Sequence, residues 1–132
     1  MHAAGTFDVK TLPLAPDDAT SATPIGRFAL DKTFHGELDA TSKGEMLGGG
    51  DPSKGVAGYV AMENVTGTLN GRRGSFGLQH NGTMDQSGFQ LNVIVVPGSG
   101  TGELAGMKGT MKITIAAGLH SYELDYSLPS PE

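Results

Sequence analysis

Cysteine is absent from this chain. That removes disulfides, thiolate catalysis and Cys-ligated zinc, and it fits the cytoplasm. Long hydrophobic runs are missing too. The longest, Val93-Ile94-Val95-Val96, is far too short to span a bilayer, so no membrane partner is expected. The opening Met1-His2-Ala3-Ala4-Gly5-Thr6 lacks a charged stretch followed by an apolar one, and no signal peptide is expected. Basic residues are few: Lys and Arg number 9 against 14 Asp and Glu, a net charge of −5. The only basic doublet, Arg72-Arg73, follows Asn70-Gly71 and reads as an exposed turn. Without a Lys/Arg stripe, nucleic acid is not an expected partner. Apolar residues reach only 37%, partly because 21 positions are glycine.

What is present is alternation. Apolar residues recur with period two along most of the chain, and no long stretch has helical periodicity. Strands are predicted near 5–13, 25–36, 38–47, 57–69, 73–84, 89–96, 107–116 and 119–128. The segments between them carry turn chemistry: Asp51-Pro52-Ser53-Lys54-Gly55, Asn70-Gly71, Asp85-Gln86-Ser87-Gly88 and Ala117-Gly118. A chain of 132 residues suits one domain, taken as 1–132. Consecutive strands joined by short turns form a meander, and a meander of this size removes its edges by closing. The expected fold is therefore all-β, an eight-stranded antiparallel up-and-down barrel. A two-sheet sandwich, which needs longer connections, is the alternative.

Parity sorts each strand into two faces. The apolar face of 73–84 carries Phe76, Leu78, His80, Gly82 and Met84. That of 119–128 carries His120, Tyr122, Leu124, Tyr126 and Leu128. These faces are expected inside. For 57–69 the hairpin register decides. A two-residue Asn70-Gly71 turn sets Ala61 opposite His80 with Glu63 diagonal, while a four-residue loop sets Glu63 directly opposite. Either register brings Glu63 to the His80 face, with Cβ atoms roughly 5–8 Å apart. A four-residue loop at 85–88 places Val93 opposite His80, and an Ala117-Gly118 turn pairs Ile115 with His120. One interior surface then holds Glu63, His80, Tyr59, His120, Tyr122 and Tyr126 among apolar residues that include Leu78 and Val93. A mostly apolar lining with a few polar groups suits a small, largely apolar ligand.

Glu63 beside His80 has the composition of an acid–base pair, with Glu63 as base and His80 tuning or sharing the proton. The same pair also fits a structural tie between strands. Tyr59, His120 and Tyr122 can orient a ligand's polar groups, or, like Tyr126, pack as amphipathic core residues. His35, His80 and His120 lie on separate strands without ligand spacing, so no metal or other cofactor is expected. Pro97-Gly98-Ser99-Gly100-Thr101-Gly102 lacks the Gly-Lys-Ser/Thr ending of a phosphate loop and reads as a tight loop or single helical turn crossing the barrel end. Lys32 alternates with Phe28, Leu30 and Phe34, and its face stays open, inward or solvated.

Several segments carry a resemblance: Gly58-Tyr59-Val60-Ala61-Met62-Glu63, Thr66-Gly67-Thr68-Leu69-Asn70-Gly71-Arg72, Gln79-His80-Asn81-Gly82-Thr83-Met84, the stretch from Val95 to Gly106, and His120-Ser121-Tyr122-Glu123-Leu124. On these the chain resembles a bacterial family of small domains of unknown function, similar in fold to allene oxide cyclases and dirigent proteins. The resemblance implies an eight-stranded barrel with a ligand cavity, often a homo-oligomer. It also implies chemistry, if any, of a cofactor-independent isomerase, cyclase or lyase. A non-catalytic carrier and a structural module with a packed lumen are the competing expectations.

Overall fold

The computed structural model describes residues 1–129. Eight strands follow one another: β1 His2–Leu14, β2 Gly26–Gly36, β3 Leu38–Asp51, β4 Val56–Leu69, β5 Arg72–Asp85, β6 Gly88–Val95, β7 Lys108–Ala116 and β8 Leu119–Ser127. Each pairs antiparallel with its neighbour in sequence, and β8 returns to β1, so the sheet is a closed barrel. The expected strands are all present. β3 runs on to Asp51 because Gly48, Gly49 and Gly50 continue the ladder with Tyr59, Gly58 and Ala57, although a glycine run resembles a loop in sequence.

The turns explain the register. Asn70 and Gly71 adopt φ of 48° and 81°, the two positive values a tight hairpin turn of matching twist requires. Leu69 therefore pairs with Arg72, and Ala61 with His80. Ala117 and Gly118 make an equivalent turn, with φ of 53° and 78°. The 85–88 loop is tighter than expected, since Asp85 still pairs with Gly88, but the register is the same and Val93 faces His80.

The interior divides along the barrel axis. At the end marked by the Asn70-Gly71 turn, Phe34, Leu38, Val65, Leu69, Phe76, Leu78 and Leu124 are almost wholly buried. The chain from Val96 to Met107 crosses this end. It includes the short 3₁₀ turn Gly102–Leu104 and buries Leu104 and Met107. Thr101 ties the crossing to β5, its amide donating to the Ser75 carbonyl and its hydroxyl accepting from the Ser75 amide. The other end, bounded by the β3–β4, β5–β6 and β7–β8 turns, is not filled: Phe89 and Ile115 there are 58% and 63% exposed. Among the described residues no helix is long and apolar enough to cross a membrane.

Candidate functional site

Four adjacent strands bring a polar cluster into the lumen where packing gives way to open space. β2 contributes Lys32, β3 Ser42, β4 Tyr59 and Glu63, and β5 His80. Lys32 shares its face with Leu30 and Phe34, so the strand's alternation carries it inside, and it is only 5% exposed. Lys32 and Ser42 are direct partners across β2 and β3. Glu63 pairs with Gly44, where a Cβ would run into the Met62 carbonyl oxygen and the Glu63 backbone. The glycine thus lets β3 and β4 approach closely on the Glu63 side.

The Glu63 carboxylate is fully buried and fully engaged. Ser42 Oγ donates to Oε1 at 2.8 Å. Lys32 Nζ and His80 Nε2 both meet Oε2, at 2.7 and 2.6 Å. Burial alone would raise the Glu63 pKa, but the His80 hydrogen bond and the charge of Lys32 outweigh it and hold the group at about 2. A carboxylate only accepts hydrogen bonds, so the His80 proton on this side resides on Nε2. In the neutral imidazole this leaves the lone pair on Nδ1. Nδ1 lies 3.4 Å from the Tyr59 hydroxyl, a long contact. Burial first, and then the charge of Glu63, push the Tyr59 phenol above its usual pKa, so it remains a donor at neutral pH. The Tyr59 ring lies against Gly82, its cross-strand partner. A Cβ there would stand 2.5 Å from Cε1, so Gly82 gives the ring its place.

Above this cluster is a cavity of about 400 Å³ walled by Phe7, Leu30, Leu91 and Ile113, with Lys32 and His80 at its base, Tyr59 on the mouth side and His120 on the far side. A second hollow of about 420 Å³ opens at the mouth and shares Met46, Tyr59 and Phe89 with the first. One wall is slotted. β6 and β7 pair only at Val93–Met111 and Ile94–Thr110, so Leu91 and Ile113 face the cavity from stretches that have left the ladder.

The residues expected on one surface are thus divided between two places. Glu63, His80 and Tyr59 come together, and His120 borders the same cavity with its ring 5.2 Å from that of Phe7. Leu78 and Val93 are buried in the core and do not border the cavity. Tyr122 and Tyr126 lie at the packed end. The Tyr122 hydroxyl accepts from the Leu38 amide and points at the His35 and Leu38 carbonyls, which fixes the β2–β3 connection. The Tyr126 hydroxyl accepts from Asn70 Nδ2. His35 faces outward and pairs with Asp8 at 2.9 Å. The face of Lys32 is settled as inward. Ser42 was not anticipated, although the alternation Leu38, Ala40, Ser42 carries it inside by the same rule. Both Glu63 oxygens are hydrogen-bonded and the residue does not line the cavity, so its neighbours Lys32 and His80 stand between it and the open space. In the neutral imidazole the lone pair of His80 lies on Nδ1, away from Glu63, and Glu63 fixes the ring.

A family model described as a protein of unknown function, DUF3224, matches residues 3–126. Comparison with curated proteins finds no match. Among solved structures, the chain is similar to a DUF3224-family protein of unknown function from Shewanella oneidensis MR-1. The two share 49% identity over 98% of each chain, with a TM-score of 0.88.

Proposed function

The chain belongs to the DUF3224 family of proteins of unknown function, and we propose that it binds a small, largely apolar molecule in the open half of its barrel. The observation that carries this reading is the cavity of about 400 Å³, with apolar walls above a buried cluster of Lys32, Glu63 and His80. A site of this build gains affinity from apolar contact and orientation from a few polar groups. The test is titration with N-phenyl-1-naphthylamine, whose fluorescence rises in apolar surroundings. The expected result is saturable binding at one site per chain, lost in an Ile113→Trp variant that keeps its β circular dichroism. No saturable signal, or unchanged binding in that variant, refutes the reading.

A second reading, catalysis, is favoured by the Tyr59–His80–Glu63 chain of contacts. In it His80 Nδ1 accepts a proton from the bound molecule and returns it elsewhere on the same molecule. Glu63, held as a carboxylate, stabilises the imidazolium that forms between the two transfers. The class is a cofactor-independent isomerase, cyclase or lyase. The resemblance to allene oxide cyclase-like barrels points the same way, and the cysteine-free composition suits a cytoplasmic setting. Conversion of a bound molecule by the wild type but not by His80→Gln supports it. Equal conversion by both refutes it.

A further inference from the structure

We propose that the ligand of this cavity is an uncharged apolar ketone whose carbonyl oxygen is received by the Lys32 ammonium, an inference that rests on the lumenal-binding reading. The argument starts from the hydrogen-bonding inventory of the cavity base. Lys32 has three N–H donors, and one is taken by Glu63 Oε2. No other hydrogen-bond acceptor reaches Nζ among the described residues. The ammonium instead stands 5.0 Å above the ring of Phe7, and both residues line the cavity. A buried cation with donors to spare offers them to an acceptor oxygen entering from above.

Charge narrows the class. The Lys32 ammonium and the Glu63 carboxylate balance each other in a buried ion pair. Of the described residues that border the cavity, none is an acid and the only Lys or Arg is Lys32. With the lining His80 and His120 neutral, a carboxylate ligand would add a negative charge without a counter-ion among Phe7, Leu30, Leu91 and Ile113, and an ammonium ligand a positive one. An uncharged carbonyl compound avoids both. The arrangement also has a chemical use. Lys32 Nζ and His80 Nε2 share one oxygen of Glu63, so the ammonium and the imidazole stand side by side. With the ketone oxygen on Lys32, a ligand that lies across the cavity base has a neighbouring C–H group within the reach of His80. If His80 Nδ1 takes a proton from that carbon, the C–H electron pair becomes the carbon–carbon double bond of an enolate. The negative charge then develops on the oxygen beside Lys32, and return of the proton restores the ketone.

The experiment is displacement of N-phenyl-1-naphthylamine by three molecules of similar size: 1-tetralone, its parent hydrocarbon tetralin, and the anion 1-naphthoate. Apolar area alone ranks tetralin above the more polar ketone. The proposal predicts the reverse in the wild type, with tetralone at least about 10-fold tighter than tetralin and tighter than naphthoate. Within a Lys32→Met/Glu63→Gln variant, which removes both charges and leaves no lone buried ion, the ratio should fall to about one or below. Lys32→Arg, which keeps the donors, should retain part of the preference. Tetralin at least as tight as tetralone in the wild type overturns the proposal. So does a preference that survives in the double variant, or naphthoate binding most tightly. Failure of the dye itself to bind would remove the lumenal-binding reading together with this one, whereas loss of the ketone preference alone removes only this one.

Discussion

The two ends of this barrel are built from the same strands and differ in how they use the inside. At the packed end, Phe34, Leu38, Phe76 and Leu124 meet across the lumen, and Leu104 and Met107 close it from the crossing segment. An eight-stranded barrel is just narrow enough for side chains to fill it, and here they do. At the open end the inward positions hold Met46, Tyr59, Phe89 and Ile115 at the rim, around a cavity rather than a packed core. Between the two lies the layer of Lys32, Ser42, Glu63 and His80. Polar side chains are used differently as well. Tyr122 spends its hydroxyl on backbone groups of the β2–β3 connection, whereas Tyr59 has, among the described residues, only the long contact to His80. One end therefore supplies stability, and the other keeps space and unspent hydrogen-bonding capacity.

Removing charge from the boundary layer should have the largest effect. Lys32→Met leaves the Glu63 carboxylate buried without its cation and should cost about 3–5 kcal/mol in urea unfolding. Lys32→Met/Glu63→Gln should recover most of that loss, and a single variant as stable as the wild type would contradict the ion pair's role. Next come the two ends themselves. Leu124→Ala, deep in the packed end, should cost about 2–5 kcal/mol because it opens a void. Ile113→Ala, beside space that is already open, should cost under about 1 kcal/mol, mainly the lost contact of its remaining buried surface. Equal costs would erase the distinction.

Acid should then act on the boundary layer before the packed end. Glu63 titrates near 4.5 when unfolded and about 2 when folded. Its contribution is complete above pH 4.5 and is lost as pH falls through 2, and it amounts to about 3 kcal/mol. Glu63→Gln should flatten the fall in stability across that window, and an unchanged slope would assign acid sensitivity elsewhere. The smallest effects separate the tyrosines. Tyr122→Phe should cost about 1–3 kcal/mol by stranding the buried Leu38 amide. Tyr59→Phe should change stability by under about 0.5 kcal/mol.

The barrel is legible in the sequence because short-range signals repeat. Asn70-Gly71 sets one register, Ala117-Gly118 another, and parity does the rest. These local signals alone put Glu63 and His80 on one face. Other features depend on contacts distant in the chain, which periodicity does not carry. The Tyr122 hydroxyl bonds to Leu38, 84 residues away. It therefore belongs to the packed end, although its strand parity matches that of His120. The face of Lys32 is not legible locally, because a lysine on an apolar face is settled only by its partner, and that partner, Glu63, is 31 residues on. The loose β6–β7 seam has no sequence mark, since both strands alternate as regularly as the others.

Amide and methyl NMR during a titration with N-phenyl-1-naphthylamine tests the division of the lumen most directly. Signals of Tyr59, His80, Leu91 and Ile113 should shift together and saturate at one equivalent, while those of Phe34, Leu38, Val65 and Leu124 stay in place. Shifts concentrated at the packed end, on the outward faces of the strands, or nowhere would contradict the account.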